Sequence, residues 1–273
     1  MTSTHPADTY RTNLVELIGE DARTFAHAQF GSDVEGLAVG DAQWSAWLDP
    51  QGRARHVFAL ACVEAHRFVA WLPLGGAASM ARDLARYLLR SRVTVRDRGD
   101  QGHLLAPAVV GAGPAVDLPL LPGWRLQVDA PAVGFGATVD DLPASLALAG
   151  IDAGLPWLDA RLACEFTAAA LGLSRIGATR LDKGCYPGQE IVARLHYRGG
   201  NKRHCLRLRV DATKVPPPGT RILHAGAACG TMLYAAARES HSMLALAVVD
   251  ESALSARTLN LDGGATAEAL GVP

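Results

Sequence analysis

The chain has 273 residues, with 26 Lys and Arg against 27 Asp and Glu, a formal net charge of −1. Its 49% hydrophobic and 19% charged content excludes a disordered or supercharged chain, and the near-zero charge excludes a globally basic nucleic-acid binder, so any anion site must be local. The length allows one large domain or two ordinary ones, with ample chain for a core.

The N-terminal MTSTHPADTYRTNLVEL lacks a basic segment followed by an apolar one, and no apolar stretch reaches the ~18 residues of a membrane span, so a cytoplasmic protein without a membrane anchor is expected. Residues 21–30 place Phe25, Ala26 and Gln29 at helical spacing behind Asp21, which can cap. Strand-like runs at 56–61 and 67–72 follow a turn made by Asp49, Pro50, Gln51 and Gly52. Ser79 then precedes the stripe Met80, Leu84, Tyr87, Leu88, opposite Arg82, Arg86 and Arg90, which predicts an amphipathic helix. A strand at 93–96 completes an alternation that argues for an α+β domain. Residues 111–143, rich in Gly and Pro, read as loops joined by short strands. Beyond Pro216, Pro217, Pro218 and Gly219, β-type runs at 221–224, 232–234, 243–249 and 258–261, with Leu206, Leu208 and Val210 alternating upstream, predict a small barrel. The expected domains are 8–203 and 204–273.

The stretch at 180–209 carries most of the chemistry. Gly184 and Gly188 bracket Cys185, Tyr186 and Pro187, so a thiol is displayed on a tight loop, with Lys183 and Arg180 nearby and a helix starting at Gln189 and Glu190. Cationic neighbours and a helix start both favour the thiolate, the form that attacks electrophiles and binds metals. The other cysteines, Cys62, Cys164, Cys205 and Cys229, read as small buried hydrophobes. Five widely spaced cysteines without a CxxC pair fit a reducing compartment. No other thiolate sits two to four residues from Cys185, so a metal held by protein ligands alone is not expected.

From 191 to 210 run six basic residues, Arg194, Arg198, Lys202, Arg203, Arg207 and Arg209, and no acidic one. Gly199, Gly200 and Tyr197 break the run, leaving a solvated face and a carboxylate or phosphate site as the two readings. Arg207 and Arg209 alternate with Leu206, Leu208 and Val210, so they face solvent or a domain interface, and Arg194, Arg198, Lys202 and Arg203 stay nearest the loop. Specific nucleic-acid binding is not expected.

KGCYPGQE at 183–190 resembles the signature of the YgfZ/GcvT-like folate-binding family, which typically reads KGCYxGQE. IVARLHYRGGNKR behind it is similar to the family's continuation, and GIDAGLPWLDA at 150–160 resembles its IEAGxPxID segment. GEDARTFAHAQFGSDV at 19–34, LDPQGR at 48–53 and RYLLRSRVTV at 86–95 match in order and spacing, so the resemblance spans 10–210. It implies an α+β fold like the aminomethyltransferase of the glycine cleavage system, a folate-binding domain followed by a small C-terminal β-barrel. It also implies tetrahydrofolate as cofactor and a role in assembling or repairing iron–sulfur clusters in client proteins, tRNA-modifying radical enzymes among them. By motif, Cys185 matches the family's functional cysteine, and Lys183, Gly184, Tyr186, Gly188, Gln189 and Glu190 match the rest of its signature. Asp152 stands where the family has Glu, able to pair with a pterin N–H edge at one methylene shorter reach, and Arg194 and Arg198 are candidate contacts for the ligand's anionic part. Thr12 and Leu146 stand where some members carry tryptophan. Cys185 is open to roles as nucleophile, cluster ligand or redox site. The alternative functions are a folate-dependent aminomethyl or one-carbon transferase and a tRNA- or protein-binding module without catalysis.

Overall fold

The computed structural model describes residues 9–98, 102–105, 115–128 and 142–273. In chain order its elements are β1 (Thr9–Arg11), β2 (Leu14–Ile18), α1 (Ala22–Gln29), β3 (Ala42–Leu48), β4 (Ala54–Glu64), β5 (Arg67–Trp71), α2 (Ala77–Leu84), β6 (Thr94–Asp97), β7 (Gly102–Leu105), β8 (Ala115–Asp117) and β9 (Arg125–Val128). They continue with α3 (Ala144–Asp152), α4 (Gln189–Arg198), β10 (Arg203–Asp211), β11 (Arg221–His224), β12 (Ala227–Glu239), β13 (Ser242–Asp250), β14 (Thr258–Leu261) and β15 (Thr266–Gly271).

Period-2 alternation builds the first layer. In the antiparallel sheet β3-β4-β5-β2-β6, Val15, Leu17, Trp47, Phe58, Leu60 and Phe68 face α1 and α2, while Leu14, Trp44, Ala46, Ala59, Val69 and Trp71 point the other way. That second face is shared with α3, with the loops at 155–178 and with Cys205, Leu233, Tyr234 and Leu246 of the barrel, making one continuous core. Trp157 sits at its centre, fully buried, stacked on Tyr234 with centroids 5.1 Å apart and edge-on to Trp71 at 5.9 Å. Gly150 leaves room for it: a Cβ there would lie 2.5 Å from the Trp157 ring. Four further strands pair as β1-β7-β9-β8, and β10-β13-β12-β11-β14-β15 close a six-stranded antiparallel barrel around its own core of Leu206, Leu208, Val210, Met232 and Val249.

The elements differ from the sequence reading at several points. Asp21 precedes α1 without a side-chain cap; its carboxylate accepts from the Arg92 backbone N–H at 2.8 Å instead, tying α1 to the approach to β6. The apolar stripe of α2 stops at Leu84, because Tyr87 leaves the core, 46% exposed, to meet Trp47 edge-on. Within 111–143, short strands appear at β8 and β9, and residues 111–114 and 129–141 lie outside the described residues. The last barrel strand, β15, has no counterpart in the sequence reading, since its two alanines, Glu268 and Gly271 carry little strand signal. Cys62, Cys205 and Cys229 are buried, whereas Cys164 is half-buried with φ +61° in the segment beside Ala54. No helix of the described residues is long and apolar enough to cross a membrane.

Candidate functional site

Three separate sequence segments meet at the 183–190 loop. The chain approaching it passes over the end of α1 at touching distance: Arg180 N–H donates to the Gly31 carbonyl at 2.9 Å, and a Cβ on Gly31 would lie 2.7 Å from the Ala178 oxygen. Gly31 N–H is itself spent on Ala46, so the last turn of α1 keeps orphan carbonyls. Lys183 fills that need. Its Nζ donates to the carbonyls of His27, Phe30 and Ser32 at 2.5, 2.6 and 2.9 Å, placing a cation on the negative end of the helix dipole. Burial pushes its pKa down to about 8, while the Asp33 and Glu35 carboxylates work in the opposite direction. All three of its protons go to backbone carbonyls, so Lys183 ties the loop to the end of α1.

On the other side the loop seats on the turn that joins β3 to β4. Asp49 is buried, its Oδ1 accepting from Gln51 N–H at 2.9 Å and Arg53 N–H at 2.8 Å, so the turn is rigid. Gly188, at φ +80°, lies against it so closely that a Cβ would sit 2.5 Å from the Asp49 oxygen and 2.8 Å from the Gly52 Cα. Tyr186 is the buried anchor between these contacts, its ring 5.1 Å from Lys183 Nζ and its hydroxyl pushed up to about 12 by burial. That hydroxyl has no hydrogen-bond partner among the described residues. α4 starts directly behind, with Ile191 and Val192 N–H both donating to the Gly188 carbonyl.

The result is an exposed Cys185 on a loop whose neighbours are locked in place. His27 stands against Gly184, the residue before Cys185: its Nδ1 faces the N–H groups of Val34 and Glu35 at 3.3 and 3.4 Å, and its Nε2 lies 3.2 Å from where a Gly184 Cβ would be. Burial and the Lys183 cation lower its pKa. His27 was not singled out from the sequence, because a histidine inside an amphipathic helix carries no spacing signal of its own.

The remaining expected residues spread out. Gly184 and Glu190 are exposed and Gln189 is half-buried at the first turn of α4. Asp152 ends α3 against the barrel, exposed, its backbone carbonyl accepting from Arg207 at 3.2 Å. Thr12 and Leu146 are both buried, Leu146 in the core shared with the barrel, so neither presents a side chain to a ligand. Arg207 faces the domain interface and Arg209 pairs with Glu268, as their alternation predicts. Two cavities of about 540 Å³ each flank α4. One is bordered by Thr179, Arg180, Asp182, His196 and Tyr197, the other by Arg53, Glu165, Arg194, Lys202 and Arg203, and neither includes Asp152 or Cys185. Arg198 borders neither and stands exposed at the end of α4. Among the described residues no three His, Cys, Asp or Glu side chains gather as a metal site.

The fold is that of an aminomethyltransferase: the glycine cleavage system aminomethyltransferase T from Bartonella henselae superposes with a TM-score of 0.67 over 95% of this chain and 82% of its own, at 15% identity. No family model matches the chain. An uncharacterized protein of Haemophilus influenzae is 30% identical over 218 residues, 77% of this chain and 75% of that protein. The tRNA-modifying proteins YgfZ of Enterobacter sp. and Cronobacter sakazakii are 44% and 42% identical over 69 and 72 residues, about a quarter of this chain and a fifth of theirs. The chain belongs to the YgfZ/GcvT-like folate-binding family.

Proposed function

We propose that the protein is a tetrahydrofolate-binding accessory factor that assembles or repairs iron–sulfur clusters in client enzymes, radical enzymes that modify tRNA among them, through the Cys185 loop. One observation carries the reading. Cys185 is exposed on a loop that three Lys183 hydrogen bonds, the Gly188 close approach and the buried Tyr186 ring hold in one shape. A chain folded to display a single thiol has a use for that thiol, whereas aminomethyl transfer rests on a carboxylate and on positioning. The relatives named for tRNA modification support the client class.

In this reading Asp152 would offer its exposed carboxylate to a pterin N–H edge, Gln189 and Glu190 at the start of α4 would line the ligand, Arg194 and Arg198 would offer cations to the glutamate end, and the Tyr186 hydroxyl is a buried polar atom without a partner among the described residues. Bound tetrahydrofolate supplies a reduced pterin able to carry a one-carbon unit. Gly184 and Gly188 shape the loop and Lys183 ties it down. A cluster resting on Cys185 would draw ligands from a client or a small thiol, because no three His, Cys, Asp or Glu side chains gather among the described residues.

Cys185→Ser tests the reading by complementation in a strain lacking its own factor. Loss of iron–sulfur enzyme activity with unchanged folding is expected, and full rescue by the serine variant refutes the thiol's role. Tetrahydrofolate should raise the melting temperature, and Asp152→Ala should weaken that effect. No thermal shift and no heat of binding at about millimolar folate removes the cofactor.

A further inference from the structure

The cation-lined cavity beside α4 shares only Arg194 with that reading. Its charges come from three places in the chain: Arg53 from the turn before β4, Arg194 from α4, and Lys202 and Arg203 from the start of β10. Glu165 is the one carboxylate on its wall, leaving a balance of three positive charges around about 540 Å³. The commitments of these cations are unequal. Arg203 reaches Asp250 at 3.3 Å in an exposed pair, and Arg53 donates to the Cys164 carbonyl at a long 3.4 Å. Arg194 and Lys202 have no side-chain hydrogen bond or ion pair with any described residue. The dipole at the C-terminal end of α4 contributes about half a negative charge, too little to cancel three cations. Convergence of like charges on one concave wall with too few counter-charges costs free energy, and a bound anion relieves it.

Pro50, Phe166, Ala170, Ile191 and Leu195 supply the cavity's apolar floor. A single carboxylate satisfies one such cation; the two positive charges left over after Glu165 and Asp250 are counted, beside an apolar surface, match a group carrying several oxyanions next to an organic body. From this geometry we infer that the cavity is a phosphate-ester site, bounded by Arg53, Arg194, Lys202 and Arg203, that takes either a free nucleotide's phosphates or successive phosphates of a single-stranded RNA. The site also touches the Cys185 loop mechanically. Ile191 borders the cavity and packs on Gly52, where an added Cβ would come within 2.8 Å, and Gly52 is the residue on which Gly188 seats.

The test is calorimetry with inorganic tripolyphosphate on the full chain. Comparison variants are Arg194→Glu, Lys202→Glu and the control Arg82→Glu, which makes the same charge change at an exposed position of α2. Saturable binding is expected, weakened about tenfold or more by each cavity variant and unchanged in the control. A second arm titrates a single-stranded RNA of about 15 nucleotides between about 50 and 200 mM salt, where the Arg194→Glu, Lys202→Glu double variant should lower the salt slope by roughly two. Binding in either arm that depends on these residues upholds the site, and the tighter arm names the source of the phosphate. Absence of saturable binding in both arms, or equal losses in Arg82→Glu, overturns it. Stoichiometric displacement of tripolyphosphate by tetrahydrofolate also overturns it, returning Arg194 to the folate; a folate that fails to bind at all leaves this site standing while removing the cofactor from the proposed function.

Discussion

Gly188→Ala is the sharpest probe of the loop's seating. Two costs add. At φ +80° an alanine is strained by about 1–2 kcal/mol relative to glycine. Its Cβ would also meet the Asp49 oxygen at 2.5 Å, the Gly52 Cα at 2.8 Å and the Gly52 nitrogen at 3.0 Å. All three are backbone atoms of a turn that Asp49 makes rigid, so no side chain can swing away, and overpacking of this kind costs about 1–3 kcal/mol more. Gly177→Ala isolates the first cost, since Gly177 has φ +72° and open space where its Cβ would go. With roughly 2–4 °C per kcal/mol for a chain of this size, the expected fall in Tm is about 4–20 °C for Gly188→Ala and about 2–8 °C for Gly177→Ala. Differential scanning calorimetry gives both numbers, and the alkylation rate of Cys185 reports whether the loop has lifted. Equal losses of stability in the two variants, with Cys185 reacting as in the wild type, would show that the contact between Gly188 and the Asp49 turn carries no energy.

Trp157→Ala should cost about 3–5 kcal/mol, because a fully buried ring stacked on Tyr234 joins the sheet core to the barrel; denaturant titration by tryptophan fluorescence measures it, and a loss below about 1 kcal/mol contradicts the shared core. Glu16 is 2% exposed and accepts from Arg67 Nε at 2.7 Å and Arg98 Nη1 at 3.0 Å, so Glu16→Gln should lose about 3–5 kcal/mol by urea unfolding, and Glu16→Met with Arg67→Met should recover much of it. His56 lies parallel to Trp47 and burial lowers its pKa to about 4. Above pH 6.5 folded and unfolded chains both hold it neutral; between 6.5 and 4 only the unfolded chain takes the proton, so stability falls by up to about 3 kcal/mol over that window. His56→Gln should flatten that part of the urea midpoint against pH, and an unchanged slope rejects the assignment.

The sequence by itself determined the local chemistry. Glycines around Cys185 announce a displayed thiol, alternation at 206–210 announces a barrel strand, and KGCYPGQE announces the family, because each signal lies within a few consecutive residues. Tertiary structure alone decided what those residues face. Lys183 turns its three protons to carbonyls at the end of α1, a partnership its own neighbours in sequence do not reveal. Arg53 looked like the end of a turn, yet it completes the wall of a cavity with cations 141 to 150 residues away. Thr12 and Leu146 could have faced a ligand, and both are buried. The physical reason is common to all three: helical and strand periods say which side of an element is apolar, but the partner of a polar group is set by which distant segment the core brings against it.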